Sequence, residues 1–262
     1  MSGISVRLKA RLRGFDLDVG WTVPPGFTVL FGYSGAGKSL TLSMIAGTMR
    51  PDEGRIRLGD EVLLDTARGM NVPPQRRRIG YVAQNAELFP HMTVRGNVEY
   101  ALGGTPRSGR RARALELLDR LHVSELAEKR PHEISGGQRQ RCALARALAL
   151  EPRALLLDEP LSALDLPIRV EMRALLLDVQ RESGVPFVMV THDLYEAVAL
   201  ADTLVVYAGN GATQVGGVRD LLGDPATPEV RRLLHAVDLP DSVFAGKTAG
   251  RIVPLNRKEH VA

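Results

Sequence analysis

The chain has one cysteine in 262 residues, Cys142, so an internal disulfide is impossible and a disulfide-stapled fold is excluded. That fits a reducing compartment, and Cys142 itself reads as a small apolar residue of a helix. Aromatic residues are scarce at 5% and do not interleave with the lysines and arginines, which are spread along the chain. The net charge of +4 therefore does not describe a nucleic-acid-binding surface, and no nucleic acid partner is expected. No apolar run approaches the roughly 18 residues of a membrane-spanning helix, and Met1 to Arg13 alternates basic with apolar residues instead of carrying the apolar core of a signal peptide. The expectation is a chain that is neither exported nor membrane-spanning. What remains is ordinary globular composition, 44% hydrophobic and 24% charged, long enough for one large domain or two small ones.

Short apolar runs recur with helical patterns between them. Phe27 to Phe31, Ile79 to Val82, Ala154 to Leu157, Phe187 to Val190 and Leu204 to Tyr207 read as buried strands, which predicts an α/β fold with a mainly parallel sheet. From about Ala86 to Leu150 the pattern is helical only (Val94 to Leu102, Arg110 to Leu121, Gln138 to Leu150), as expected of a helical subdomain inserted into that core. Ile4 to Val23 and Arg55 to Leu64 alternate in shorter runs with Gly and Asp turns, which predicts an antiparallel β subdomain. Periodicity fades after about His235, and 236–262 reads as a tail.

Gly32-Tyr33-Ser34-Gly35-Ala36-Gly37-Lys38-Ser39 follows a strand and opens a helical run, Ser39 to Ala46, which is the context a phosphate-binding loop requires. Its glycines let backbone N–H groups turn toward phosphate oxygens, Lys38 supplies a point charge, and the Ser39 hydroxyl suits Mg²⁺. A glycine-rich turn with no ligand is the competing reading, and the strand-then-helix context disfavours it. Farther on, Arg153 to Pro160 is a buried strand that ends in two carboxylates. The strand period of two points neighbours in opposite directions, so Asp158 and Glu159 suit separate tasks, Asp158 as an outer Mg²⁺ ligand and Glu159 as the base that polarises an attacking water. Standing alone, the pair would serve as well to cap the next helix.

With Ile134-Ser135-Gly136-Gly137-Gln138-Arg139-Gln140-Arg141 just upstream of that strand, the chain resembles the ABC ATPase family over roughly Val6 to Leu222. Five elements stand in the family's order: the phosphate loop, Gln84 in Val82-Ala83-Gln84-Asn85, the signature, Asp158-Glu159 with Ser162-Ala163-Leu164-Asp165, and Thr191-His192-Asp193. Read physically, Ser135 is a natural N-cap, and Gly136 and Gly137 leave bare backbone amides at a helix start, a second anion site. The resemblance implies a P-loop NTPase core, ATP and Mg²⁺ as ligands, and a head-to-tail homodimer in which each signature closes on the ATP of the other copy. It implies that 32–39 and Leu40 hold the nucleotide with Ser135, Gly136, Gly137, Gln138 and Asp165, and that Ser39, Gln84 and Asp158 hold Mg²⁺. Glu159, His192, Gln84 and Lys38 are then the catalytic set, with residues 1–235 as the ATPase domain.

Three departures from the family pattern stand out. Leu40 occupies a position where the family commonly carries Ser or Thr, so that α-phosphate contact is absent or moves to Thr41. Ile134 replaces a leucine, a change of shape without new chemistry. No aromatic lies around Leu8 to Arg11, where the family stacks adenine; Phe15 and Trp21 are the nearest and both read as sheet core. The stretch Asn85 to Val98, with Pro73 to Val82, resembles molybdate importer ATPases, which implies an integral-membrane permease as partner, a substrate-binding protein indirectly, and a peripheral position on the cytoplasmic face of the inner membrane. Those importers carry an additional C-terminal β domain that binds oxyanion, and the chain is expected to lack it. Sulfate, iron(III) and polyamine importers are the alternative cargo classes. Soluble ABC proteins of repair or translation fit less well, because Gln84 and Ser135 lie too close for a long coiled-coil insertion, and a subunit without turnover would not need Glu159 and His192.

Overall fold

Buried and exposed side chains alternate along Ile4–Leu12 (β1) and Phe15–Val23 (β2), as strands with one wet face require, and the two pair antiparallel from Ile4↔Val23 to Leu12↔Phe15. Phe27–Gly32 (β3) is instead buried at every position. In the computed structural model, which describes residues 3–235 apart from positions 13, 105 and 210, the chain divides into two compact units, Met1–Arg77 with Pro186–Ala262 and Arg78–Val185. The expected tail, 236–262, lies outside the described residues.

In the first unit β3 leads through the loop 33–37 into Lys38–Ala46 (α1). Glu53–Leu58 (β4), Glu61–Asp65 (β5) and Met70–Asn71 (β6) extend the antiparallel sheet in the order β2-β1-β4-β5-β6, as the alternation predicted. The short helix Pro74–Arg77 (α2) ends on a buried arginine. Arg77 Nη1 donates to Met44 O and Ile45 O (2.8 and 2.7 Å), Nη2 to Asn71 Oδ1, and Nε to Val72 O, so a cation closes the C-terminal end of α1, the end a helix dipole favours for positive charge.

In the second unit Ile79–Val82 (β7) pairs in parallel with a later strand, and the chain between them is helical: Val94–Ala101 (α3), Arg107–Arg120 (α4) and Gly136–Leu148 (α5), which pack on one another. Each follows a predicted run to within a few residues. The partner of β7 is Ala154–Asp158 (β8), and Leu166–Ser183 (α6) follows it. Asn97 on α3 is fully buried; its Oδ1 accepts from Phe89 N (2.8 Å) and its Nδ2 donates to Phe89 O and Thr93 O, which pins the irregular segment before α3 to that helix.

The first unit resumes with Phe187–Thr191 (β9), Leu194–Leu200 (α7), Thr203–Tyr207 (β10), Ala212–Gly216 (β11), Val218–Gly223 (α8) and Pro228–Leu234 (α9). Here β3 lies between β10 and β9, parallel to both, and β11 joins β10 antiparallel. Strands β3, β9 and β10 are buried along their whole length, the mark of a parallel sheet covered on both faces. The rings of Phe27 and Phe187 meet across β3 and β9 with centroids 5.5 Å apart in a tilted pair.

Candidate functional site

The phosphate loop begins where the buried strand β3 ends, at the carboxyl edge of the parallel strands, where open α/β sheets bind ligands. Gly37 is the N-cap of α1 with φ 89°, and a Cβ there would lie 2.5 Å from Leu17 Cδ1 and 3.2 Å from Phe15 Cζ. Both the left-handed backbone and the crowding require glycine. Lys38 is buried at 5% exposure, and its Nζ donates to Gly32 O (2.8 Å) and Tyr33 O (2.7 Å), so the ammonium gathers the first two carbonyls of the loop. Tyr33, Ser34, Gly35 and Ser39 are exposed, Leu40 half-buried, and Ala36 buried with its N–H on Tyr33 O.

Thr41 is fully buried, and its hydroxyl donates to Gly37 O (2.9 Å) and accepts from Tyr207 Oη (3.1 Å). Of the two aromatics expected in the sheet core, Trp21 is there at 3% exposure, whereas Phe15 is only half-buried, beside Gly37 at the start of β2.

His192 follows β9 and is exposed, between two anchored neighbours. Thr191 Oγ1 donates to the buried Glu196 carboxylate (2.7 Å) and accepts from Asp193 N (3.0 Å), and Asp193 Oδ1 caps α7 by accepting from Tyr195 N and Glu196 N. These bonds stiffen the backbone on both sides of the imidazole. Glu196 was not singled out from sequence; a glutamate whose helix neighbours Leu194, Ala197 and Val198 are all buried is the sign that marks it.

In the second unit Asp158 closes β8, and Tyr81 Oη of β7 donates to its Oδ2 (3.1 Å). Glu159, the next residue, has φ 45°, a left-handed conformation that costs a glutamate about 1–3 kcal/mol and recurs at functional positions. Pro160 after it disfavours the ordinary helical alternative, and Ser162 N and Oγ both donate to Glu159 O (3.2 and 2.9 Å). Gln84 joins the same cluster: its Nε2 donates to Ser162 Oγ (3.3 Å), and its own carbonyl accepts from Gln140 Nε2 of α5 (2.8 Å). Beyond Gln84, Ala86 and Glu87 also have positive φ (61° and 45°), and Arg146 of α5 holds both carbonyls while its guanidinium lies 5.3 Å over the Phe89 ring. Burial lowers the pKa of Arg146, Glu87 opposing it.

Ser135 caps α5 in a full capping box: Ser135 N donates to Gln138 Oε1 (2.8 Å) and Gln138 N to Ser135 Oγ (3.3 Å). The Ser135 hydroxyl oxygen is the acceptor in this second bond. A Cβ on Gly137 would lie 2.6 Å from Ile168 Cγ2, so α5 and α6 touch at this glycine, whereas Gly136 has room. Asp165 is the N-cap of α6 and makes no side-chain capping bond. The predicted residues are thus distributed, with 32–40 and His192 in the first unit and Gln84, 135–138, Asp158, Glu159 and Asp165 in the second. Tyr81, Gln140 and Arg146 were not found from sequence. Gln140 was detectable, since it falls on the buried face Gly137-Gln140-Leu144, where a polar side chain needs a partner.

Burial pushes two neutral acids upward, the Cys142 thiol from 9.0 to about 12 and the Tyr207 phenol from 10.0 to about 12. Above pH 9 the unfolded chain releases protons that the folded chain retains, so stability is full below these ordinary values and falls as pH rises toward 12. Urea unfolding midpoints measured at pH 8 and 10.5 should show this fall, and Cys142→Ala should make it shallower; equal midpoints in the parent protein would contradict it.

The family profile described as ABC transporter matches residues 17–162, more than half of the chain. The chain belongs to the ABC transporter family. Among its relatives in that family, the molybdenum import ATP-binding protein ModC of Brucella melitensis is 43% identical over 221 residues, 84% of this chain and 61% of the relative. ModC of Rhodospirillum rubrum is 40% identical over 238 residues, 91% and 63% respectively, and ModC of Rhizobium etli is 40% identical over 227, or 87% and 64%. This ABC transporter chain therefore spans about three fifths of the length of these relatives. A solved dimeric ATP-binding cassette in a post-hydrolysis state, bound to ADP and Pi, superposes with a TM-score of 0.69 at 29% identity, covering 81% of this chain and 97% of that one. The α/β architecture is that of ABC ATPases, a P-loop NTPase fold. Among the described residues, no helix is long and apolar enough to cross a membrane.

Proposed function

We propose that this chain is the ATP-hydrolysing subunit of an importer whose cargo is an oxyanion, molybdate or tungstate. The observation that carries the reading is 40–43% identity to molybdenum import ATP-binding proteins over 84–91% of the chain. Residues 1–235 form its ATPase domain, with the helical subdomain of about 86–150 inserted. Two copies make the working dimer, a state found in the similar cassette bound to ADP and Pi. An integral-membrane permease holds the dimer at the cytoplasmic face of the inner membrane, a substrate-binding protein acts indirectly, and nucleic acid is not a partner.

In this reading the amides of 32–39 and the Lys38 ammonium bind the phosphates of ATP, and Ser135 to Gln138 with Asp165 complete the nucleotide site of the other copy. Ser39, Gln84 and Asp158 offer a hydroxyl, an amide oxygen and a carboxylate, the hard oxygen donors that suit Mg²⁺, and would hold the ion, which offsets phosphate charge. Among the described residues, no cluster of three or more His, Cys, Asp or Glu stands ready for another metal. Tyr81, donating to Asp158, keeps that carboxylate oriented. Glu159 accepts a proton from water as the water oxygen bonds to the γ-phosphorus and the bond to the ADP oxygen breaks. Gln84, tied to Ser162 and Gln140, and His192, between its anchored neighbours, hold water and phosphate in line. Positioning and charge stabilisation supply most of the rate.

Deleting the gene in its host tests the cargo. High-affinity uptake of radiolabelled molybdate should be lost and uptake of radiolabelled sulfate retained; loss of sulfate uptake with molybdate uptake intact would overturn the assignment.

A further inference from the structure

One hydrogen-bonded chain runs through the interior of the first unit and ends on the phosphate loop. Trp21 Nε1 donates to Tyr207 Oη (3.1 Å), Tyr207 Oη donates to Thr41 Oγ1 (3.1 Å), and Thr41 Oγ1 donates to Gly37 O (2.9 Å). The three side chains are 3%, 0% and 0% exposed. The direction of every bond is dictated by chemistry: an indole N–H can only donate and a carbonyl can only accept, so both hydroxyl protons point toward the loop. Bonds aligned in one direction polarise one another in a dry interior.

The loop end of this chain has consequences for the nucleotide. Gly37 O accepts twice, from Thr41 N (2.9 Å) and from Thr41 Oγ1. A peptide unit is planar, so holding that carbonyl inward directs the N–H on the other side of the same bond, that of Lys38, outward at the start of α1. Tyr207 also borders the other end of the loop. It lies opposite Gly32 in the parallel pairing of β10 with β3, and a Cβ on Gly32 would collide with the Tyr207 carbonyl oxygen. One residue thus touches Gly32 through its backbone and reaches Gly37 through its side chain and Thr41. Phenylalanine and valine would fill the same volumes, so packing alone does not call for these hydroxyls, whose burial is costly unless each is bonded.

We propose that Thr41 and Tyr207 are positioning residues for the phosphate loop that set nucleotide affinity through the Gly37 carbonyl, and that Trp21, at the far end of the relay, reports the state of the loop. This rests on the loop being the ATP site. Trp21 is the only tryptophan of the chain, so its emission is an unmixed signal.

The test compares Thr41→Val, Thr41→Ser and Tyr207→Phe with the parent protein, using equilibrium dialysis of radiolabelled Mg·ATP, steady-state kinetics and tryptophan emission. Thr41→Val and Tyr207→Phe should weaken ATP binding about five- to tenfold, as expected for one buried hydrogen bond, with the larger share of the kinetic loss in KM. Thr41→Ser, which restores the hydroxyl, should return affinity to within about twofold of the parent. Emission should change on ATP binding in the parent and in Thr41→Ser, but not in Tyr207→Phe, although dialysis still detects bound ATP there. Should Thr41→Val fail to fold, Tyr207→Phe carries the same expectation. Parent-like affinity in Thr41→Val, or a Thr41→Ser variant as weak as Thr41→Val, overturns the relay alone. A parent protein that binds no ATP overturns the nucleotide reading, and the relay proposal with it.

Discussion

Replacing Glu159 by Gln should lower ATP turnover by about 10²- to 10⁴-fold, the range that general-base catalysis supplies, while ATP still binds. The amide is isosteric with the carboxylate and cannot accept the proton of the attacking water. The change leaves the local frame intact. Both bonds from Ser162 go to the Glu159 backbone carbonyl, and the left-handed φ of 45° belongs to the backbone as well. Lys38 Nζ donates to Gly32 O and Tyr33 O, and the substitution removes neither carbonyl. ATP that binds without being cleaved should accumulate a closed dimer, visible by size-exclusion chromatography with Mg·ATP. Turnover close to that of the parent protein would remove Glu159 from the role of base.

Ser135→Arg should stop hydrolysis with no loss of ATP affinity in the isolated monomer. The expectation follows from the proposed division of labour, in which the loop of a copy would bind its own nucleotide and Ser135 would act on the nucleotide of the other copy. A guanidinium at the start of α5 fills the space that must close on that second nucleotide. The substitution has a separate local cost, because it removes the oxygen that accepts from Gln138 N at 3.3 Å, and loss of an N-cap destabilises by about 0.5–2 kcal/mol. Ser135→Ala separates the two effects. It should lower the melting temperature about as much as the arginine variant, yet retain far more turnover. A fall in monomer ATP affinity in Ser135→Arg, measured by dialysis at low protein concentration, would show that Ser135 serves its own chain's nucleotide instead.

Most elements were legible in the sequence where a local rule governs them. Five strands and the helical runs of α1, α3, α4 and α5 fall where expected, because a buried run or one apolar helical face leaves a pattern that needs no distant partner. Strand β7, read as buried, is only half-buried at Ile79 and Tyr81. The segment around β11, α8 and α9 was not read, being short and flanked by glycine and proline that interrupt any period. Phe15 shows the limit of reading burial from residue type. An aromatic in an alternating strand pattern suggests core, yet at the first position of β2 it is only half-buried, beside Gly37.

By itself the sequence determined the phosphate loop, the paired carboxylates and the signature, because each is a consecutive set whose chemistry depends on adjacency: glycines next to a lysine, an acid at a strand end, a capping serine before two glycines. Only the tertiary structure decided which distant side chains hold those groups in place. Tyr81 meets Asp158, Gln140 meets Gln84, and Trp21 reaches Gly37 through Tyr207 and Thr41. A hydrogen bond depends on separation and direction in space, and residues scores of positions apart acquire both only when strands pair and helices pack.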